Sequence, residues 1–277
     1  LCMREGDDDL IQEQTAIIHG IGLRPTEIEE IATDGAMLVW SPRSNVTLYG
    51  DTAQAPIYDR LGVPVALGTD GIFTGSMNPL RELQCADSLN ADQWDGYFSD
   101  EDLWLMATLN GASATGTDDV IGVIRVGYVG DLAIFDGRVH ADHRAVIDAE
   151  PEDVALVLRG GVPLFGEASV VPLLRDGASC EAIDVCGAAR QVCAVREVGM
   201  TVEALQAAAP EDYPLFFCDT EPTMEPSCMP MRGMAVAGST VYTGVASTTD
   251  MDGDGIADTE DNCPSMFNPI RPLDEGA

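Results

Sequence analysis

Three short apolar segments near the start of the chain each lead into polar residues, and this repetition constrains the fold most strongly. The segments are residues 15–21, 36–40 and 63–69. They deliver His19, the polar stretch 41–45 and Asp70, respectively. Strands that alternate with helices and carry polar groups at their C-terminal ends form the active-site edge of a parallel α/β sheet. The sequence therefore predicts three β/α units, with His19 and Asp70 as the catalytic candidates.

Helices are predicted after the first two strands. Residues 26–29 have the form of a capping box, and the helix they start is expected to end near Gly35. A second helix is expected from Asp51 to about Gly62. A closed barrel needs about eight such units, and too little sequence precedes His19 for the other strands. The predicted fold class is α/β, the last three units of an incomplete, distorted (β/α)8 TIM barrel, and the chain is expected to be truncated at its N-terminus.

The remainder of the chain changes character from strand-rich to cysteine-rich to acidic. A hairpin is expected around Gly160-Gly161, and a strand over residues 123–126. We predict a small β-rich domain followed by an irregular, disulfide-rich tail. The predicted regions are a partial barrel (1–118), a small β domain (119–171), a cysteine-rich extension (172–237) and a linker with an acidic repeat (238–277).

The cysteines are unevenly distributed along the chain. Cys2 and Cys85 are isolated in the sequence, no CxxC pair occurs, and no histidine lies within the later cluster. This pattern disfavours a zinc site and favours disulfides, which form in oxidising compartments. We therefore predict a secreted or cell-envelope location, with the pairing left open. The disulfide candidates are Cys180, Cys186, Cys193, Cys218, Cys228 and Cys263.

The chain is strongly acidic, with a formal net charge of −33 from 47 acidic residues and 14 arginines. Such a surface repels phosphate backbones and anionic lipid, which argues against nucleic-acid and membrane-surface partners. No stretch approaches the roughly 18 apolar residues of a membrane span. Because lysine is absent, these residues cannot supply a Schiff-base or P-loop lysine.

A second candidate site lies in the acidic sequence near the end of the chain. Calcium takes about 6 to 8 oxygen ligands, and alternate aspartates before a glycine place carboxylates on one tight loop. Gly255 permits the sharp turn, and Ile256 offers its backbone carbonyl. The alternative is a disordered acidic tail. The predicted calcium ligands are Asp250, Asp252, Asp254, Ile256, Asp258 and Asp261.

Several motifs together resemble the amidohydrolase superfamily, and within it the chlorohydrolase and cyclic-deaminase branch. The resemblance covers roughly residues 15–170. The acidic segment ends in Asp-Asn-Cys-Pro264 and is similar to a thrombospondin type 3 repeat, a calcium-binding module of secreted and surface proteins. The amidohydrolase motifs are Ile18-His19-Gly20, Trp40-Ser-Pro-Arg-Ser-Asn45, Leu48-Tyr49-Gly50, Gly68-Thr-Asp70, Gly75-Ser-Met-Asn78, Leu80-Arg-Glu-Leu83, Met106-Ala-Thr108, Asn110-Gly-Ala112, Gly122-Val-Ile, Gly127, Asp131-Leu-Ala and Gly161-Val-Pro-Leu-Phe-Gly166.

The amidohydrolase resemblance assigns roles to the two candidate residues. It implies that Asp70 is a metal ligand that also shuttles a proton, and that His19 contacts substrate and the developing oxyanion. The metal of the complete protein would be divalent, with zinc expected. The chain lacks the family's His-x-His motif, so the fragment is expected to be inactive alone. The simpler alternatives are an N-cap role for Asp70, a core histidine at position 19, and loop-tying roles for Ser44 and Asn45.

Two classes of function follow from these patterns. The first is a metal-dependent hydrolase that acts on non-peptide carbon–nitrogen bonds of a small molecule, for example by deamination or dechlorination of a cyclic compound. The alternative is a secreted calcium-binding surface or adhesion protein whose barrel segment is not catalytic. A partial barrel completed by another chain is a third hypothesis. The substrate and the formation of a homo-oligomer stay open.

Overall fold

The computed structural model describes residues 4–5, 8–208, 215–218, 220–230, 246–261 and 264. The chain divides into two compact units. The first unit comprises the described residues up to Gly116 and from Glu225 onward, and the second runs from Thr117 to Met224. Within these described ranges, no helix is both long enough and apolar enough to cross a lipid bilayer.

The first unit contains the three predicted parallel strands. Its strands are β1 (Arg4–Glu5), β2 (Asp8–Asp9), β3 (Ala16–Ile18), β4 (Met37–Trp40) and β5 (Val65–Leu67). The first two pair with each other in antiparallel fashion. The other three form a parallel sheet with β4 in the centre, and Leu38 lies opposite Ile17 on one side and Val65 on the other. The C-terminal ends of β3, β4 and β5 therefore meet at one edge.

Helices connect and follow these strands in the first unit. They are α1 (Pro25–Thr33), α2 (Pro42–Tyr49), α3 (Ala55–Arg60), α4 (Pro79–Trp94), α5 (Asp100–Ala107) and α6 (Leu109–Ala114). The start of α1 corrects the sequence prediction. The N-cap is Arg24, and Pro25 takes the first helical position because its fixed φ suits that place. The carboxylate of Glu27 accepts the Arg24 backbone N–H at 2.8 Å, so the helix is capped two residues earlier than expected.

The core of the first unit lies between the central strand and its helices. Trp40 of β4 is fully buried, its ring centroid lies 5.3 Å from that of Trp94, and its indole N–H donates to Thr52 Oγ1 at 2.7 Å. Leu38, from the same strand, is also fully buried. Burying a side chain of this size stabilises the fold by about 1.5–3 kcal/mol. The central strand is thereby held rigidly beneath the residues that follow it.

The second unit is built on an antiparallel sheet with strand order β6-β7-β8-β10-β9. Its strands are β6 (Leu132–Phe135), β7 (Val154–Arg159), β8 (Val162–Glu167), β9 (Glu181–Val185) and β10 (Ala188–Val192). Its helices are α7 (Arg144–Ile147), α8 (Ala194–Val198) and α9 (Val202–Ala208), with single 3-10 turns at Pro151–Asp153, Val171–Leu173 and Gly177–Ser179. The hairpin at Gly160-Gly161 is confirmed, with both glycines at positive φ.

Two features of the second unit differ from the sequence prediction. The prediction of a strand over residues 123–126 is wrong, because this segment is irregular and leaves Ile124 89% exposed. The predicted boundary between residues 171 and 172 falls within one sheet, since β8 pairs directly with β10 and Phe165 lies opposite Val192.

Three disulfides connect described cysteines: Cys85–Cys228, Cys180–Cys193 and Cys186–Cys218. Cys85, which was not among the predicted disulfide candidates, is therefore a correction to that prediction. Its partner lies 143 residues away, and no local spacing rule could have indicated it. Cys2 and Cys263 lie outside the described residues.

Candidate functional site

The two catalytic candidates lie at the C-terminal edge of the parallel sheet. His19 directly follows β3, and its backbone N–H donates to the carbonyl oxygen of Val39 at 3.1 Å. Asp70 lies three residues beyond the end of β5. Both residues adopt positive φ angles, 69° for His19 and 56° for Asp70. Such backbone conformations are uncommon for residues other than glycine, and they gather at functional sites.

The side chains of His19 and Asp70 face each other across the edge of the sheet. His19 Nε2 lies 3.8 Å from Asp70 Oδ2. The side chains are 23% and 35% exposed, so both are reachable from solvent and neither is a core residue. The ring of Tyr49 meets the His19 ring edge-on, with the centroids 5.7 Å apart. The structure therefore brings together the imidazole and carboxylate that the sequence placed at two separate strand ends.

Two residues of α2 hold these side chains. Ser44 Oγ donates to Asp70 Oδ2 at 2.5 Å, and the side-chain amide of Asn45 contacts His19 Nδ1 at 2.9 Å. The sequence interpretation treated Ser44 and Asn45 as residues that tie loops together. Because α2 begins directly after the central strand, its first turn lies between the residues delivered by the two outer strands. The position of Ser44 and Asn45 directly after β4 would have indicated this role only if β4 had been known to be the central strand.

Glycines allow the loops at this edge to pack closely. A Cβ atom at Gly75 would lie 1.8 Å from the carbonyl oxygen of Thr69, so only glycine fits where the loop folds back beside Asp70. A Cβ atom at Gly68 would lie 2.7 Å from Val39 Cγ1. These close approaches fix the course of the backbone that presents Asp70.

A buried ionic cluster includes Arg43, which precedes Ser44 and Asn45 on α2. The carboxylate of Glu225 is only 2% exposed, and it binds Arg81 Nε at 2.5 Å and Arg43 Nη2 at 3.5 Å. Arg43 also donates from Nε to Ser76 Oγ at 2.7 Å, and from Nη1 to the carbonyl oxygen of Pro226. The segment that carries Glu225 is therefore connected to the helix that carries Ser44 and Asn45.

The described side chains at the sheet edge supply only part of the ligand set that a zinc ion requires. Catalytic zinc takes about three protein ligands and a water. The described residues at this edge supply the Asp70 carboxylate and the His19 imidazole. The Asp70 carboxylate suits one position of a zinc site, but this donor set alone does not complete one. In the described ranges, the one cluster of three His, Cys or carboxylate side chains able to share an ion lies elsewhere.

That cluster is formed by Asp250, Asp252 and Asp254 in the acidic segment, and their ligating oxygens lie within 4.8 Å of one another. Asp250 folds the loop, because its carboxylate oxygens accept the N–H groups of Gly253 at 2.8 Å and Gly255 at 3.0 Å. The predicted calcium residues described here thus lie on one tight loop.

The remaining loop contacts close this turn. Asp258 Oδ1 accepts the Met251 N–H at 2.7 Å, and the N–H of Ile256 donates to Asp254 Oδ1 at 2.8 Å. The Asp261 N–H donates to the carbonyl oxygen of Ala257 at 2.9 Å.

Asp252 is the residue of this loop whose ionised carboxylate is least favourable in the folded state. Its side chain is 2% exposed, and Oδ2 is buried without a hydrogen-bond partner in the described part of the chain. Burial, together with the neighbouring carboxylates of Asp254, Asp261 and Asp250, raises the pKa of Asp252 to about 6. A buried carboxylate without a donor is unfavourable unless a proton or a cation neutralises it.

Known proteins with a parallel strand–helix arrangement like that of the first unit show the family to which this chain belongs. Residues 4–164 match the sequence profile of the amidohydrolase family. This match covers more than half of the chain, and the chain belongs to the amidohydrolase family.

Curated relatives and a solved structure agree with this family. A 5-methylthioadenosine/S-adenosylhomocysteine deaminase of Pyrococcus abyssi is 33% identical over 158 residues, which are 56% of this chain and 36% of the relative. The protein of the same description from Halobacterium salinarum is 32% identical and covers 60% of this chain and 40% of its own length. A zinc-bound adenosine deaminase structure from Xanthomonas campestris has 29% identity and a TM-score of 0.52, covering 56% of this chain and 37% of its own.

The chain thus spans 36% to 40% of the length of these curated relatives. The residues that match the family profile, 4–164, include the parallel strands β3 to β5 and the residues at their C-terminal ends.

Proposed function

We propose that this chain contributes to the active site of a metal-dependent hydrolase that replaces an exocyclic amine of a cyclic small molecule by oxygen. The observation that carries the proposal is the pairing of His19 and Asp70, 3.8 Å apart at the C-terminal edge of a parallel sheet. The deaminase names of the relatives support an aminated heterocycle as the substrate class. Hydrolytic removal of chloride from a chlorinated heterocycle is the related reaction, and the activity assay measures it as well.

The residues of this chain have distinct tasks in such a reaction. Water adds to the ring carbon, a proton moves from that water to the leaving amine, and ammonia departs. Asp70 accepts the proton and returns it, as a general base and then a general acid. His19 donates a hydrogen bond to the attacking oxygen and orients it toward the ring carbon, while the electron pair displaced by the addition moves to the ring nitrogen. Ser44 holds Asp70 Oδ2 so that the carboxylate keeps its direction.

A divalent metal, with zinc as the expected ion, lowers the pKa of a coordinated water to about 7 when it is bound. Asp70 supplies one ligand in this proposal, and the remaining ligands come from outside this chain. The chain by itself is therefore expected to release no ammonia, with or without added zinc.

Activity of the full reading frame that contains this chain tests the proposal. The purified, zinc-loaded product should release ammonia from at least one aminated purine or other aminated heterocycle, or chloride from a chlorinated heterocycle. Asp70→Asn should lower kcat/KM by at least about 100-fold, because general acid–base catalysis contributes factors of about 10² to 10⁴. Asp92→Asn, which changes an exposed carboxylate of α4, is the matched control.

Equal activity of the Asp70→Asn and Asp92→Asn proteins would overturn the role of Asp70. A zinc-loaded protein with no activity on any amine or chloride substrate would overturn the proposed reaction.

We also propose, as a second function, that the loop at residues 250–261 binds calcium. The specific observation is the buried Asp252 Oδ2 within a cluster of three carboxylates. The resemblance of this segment to a thrombospondin type 3 repeat supports the same ion. Together with the disulfides, it supports a secreted or cell-envelope location.

Calorimetric titration of the chain with calcium tests this second proposal. Wild-type protein should bind one ion, and the Asp252→Ala/Asp254→Ala variant should bind none. Glu260→Gln, an exposed change in the same loop, should bind as wild type does. Without calcium, unfolding of the loop should become easier as the pH rises from about 4 to about 6, because the raised pKa of Asp252 makes its ionised form unfavourable in the fold. No binding by the wild type would contradict the proposal.

A further inference from the structure

The side-chain amide of Asn45 is fixed by two backbone groups. Asn45 is fully buried. Its oxygen accepts the N–H of Ala53 at 3.2 Å, and its nitrogen donates to the carbonyl oxygen of Ser41 at 3.2 Å. The reverse orientation would place the amide oxygen against the carbonyl oxygen of Ser41 and the nitrogen against the N–H of Ala53. The nitrogen would then make only a 3.5 Å contact with the carbonyl oxygen of His19. The two backbone partners therefore determine which end of the amide is the donor.

The orientation of Asn45 determines the proton position on His19. The amide nitrogen of Asn45 lies 2.9 Å from His19 Nδ1. An amide nitrogen can only donate, so Nδ1 accepts the hydrogen bond and carries no proton. In a neutral imidazole the single ring proton is then on Nε2. This is the nitrogen that faces Asp70 Oδ2 across the candidate site.

We propose that Asn45 is a positioning residue that holds His19 in the neutral Nε2–H tautomer. His19 then meets the reacting molecule as a hydrogen-bond donor. A protonated Nε2 has no free lone pair, so it does not ligate a metal at this edge, and that role is left to Asp70. The tautomer follows from the contacts of Asn45, whereas its catalytic consequence rests on the proposed hydrolase function.

Nitrogen NMR of the chain tests the tautomer directly. Long-range ¹H–¹⁵N correlation spectra of ¹⁵N-labelled protein at about pH 8 distinguish protonated from unprotonated ring nitrogens. The chain contains 3 histidines, and comparison with His19→Gln identifies the signals of His19. Wild type should show a protonated Nε2 and an unprotonated Nδ1. Asn45→Asp should move the proton to Nδ1, because a carboxylate accepts a hydrogen bond where the amide donated one.

A buried asparagine elsewhere provides the matched control. The amide of Asn90 also binds two backbone groups, the N–H and the carbonyl oxygen of Phe98, each at 2.9 Å. Asn90→Asp should leave the His19 spectrum unchanged. A wild-type His19 protonated on Nδ1 would overturn the proposal. Because this result comes from the wild-type spectrum, it tests the tautomer even if a variant fails to fold. A folded Asn45→Asp protein with the wild-type pattern would overturn it as well.

The spectra do not depend on hydrolysis. An Nε2–H tautomer in a protein without hydrolase activity would refute the proposed function alone. Hydrolase activity with the Nδ1–H tautomer would refute the role of Asn45 alone.

Discussion

Glu82 brings a carboxylate into the interior of the first unit. It is fully buried on α4, and Oε1 accepts the backbone N–H of Arg43 at 3.1 Å. Burial raises the pKa of Glu82 to about 7, although hydrogen bonds from Ser76 and Arg43 partly offset this effect. The unfolded chain has an ordinary carboxyl pKa, so the folded state binds the extra proton. The free energy of unfolding should therefore fall as the pH rises from about 4.5 to about 7.

Replacing this carboxyl group should remove that pH dependence. Glu82→Gln is expected to raise the free energy of unfolding at about pH 8 by up to about 3 kcal/mol, since one pKa unit corresponds to about 1.4 kcal/mol. Urea unfolding at about pH 5 and pH 8 measures the effect. Glu29→Gln, an exposed change on α1, is the control. Identical pH dependence of wild type and Glu82→Gln would show that Glu82 is not the group responsible.

The two candidate residues at the strand ends could be predicted from the sequence, but the residues that hydrogen-bond to them could not. His19 and Asp70 were chosen because each follows an apolar segment, and the structure places them together at one edge. The partners Ser44 and Asn45 depend on which strand is central. That order is a tertiary property, because parallel strands of similar composition give no sequence signal that distinguishes the middle from the edge.

At the scale of elements, the strands with clear boundaries were predicted and the irregular segments were not. The parallel strands and the hairpin at Gly160-Gly161 have apolar runs bounded by turn residues. The segment 123–126 has apolar residues too, but Gly122 and Gly127 take positive φ angles of 91° and 94° and turn the chain at both ends. Helix α2 was missed because its polar first turn resembles a loop in sequence, although Pro42 and Gly50 mark its two ends.

The segment around Glu225 is a distant element that stabilises the first unit. Glu225 binds Arg43 and Arg81, and Cys228 is joined to Cys85 on α4. Glu225 lies beyond the residues that match the family profile. No sequence pattern indicated these contacts, because they join residues more than 140 positions apart.

Neutralising Glu225 should therefore destabilise the fold. Glu225→Gln is expected to lower the free energy of unfolding by about 3 kcal/mol, because breaking a buried ion pair removes the countercharge from desolvated guanidinium groups. Denaturant unfolding measures the loss, with the exposed change Glu203→Gln as the control. A Glu225→Gln protein as stable as that control would show that the ion pairs contribute nothing.

At the scale of the whole molecule, the family match identifies the kind of fold, and the residue geometry identifies which side chains meet at the sheet edge. The family match explains the parallel strands and their polar ends, and the chain spans only part of its curated relatives. Composition predicted an acidic protein with disulfides, but it carried no information about the sheet edge. Of the metal ligands that the family resemblance implies, the sequence offered a match only for Asp70, and its role as a ligand stays a prediction.

The position of the metal in the product of the full reading frame tests the central claim most directly. A crystal structure with zinc located by anomalous scattering should place the ion about 2.0–2.2 Å from an oxygen of Asp70. His19 Nε2 should lie beside the ion without bonding to it. Zinc bound away from the ends of β3 and β5, or bonded to His19 instead of Asp70, would contradict this account.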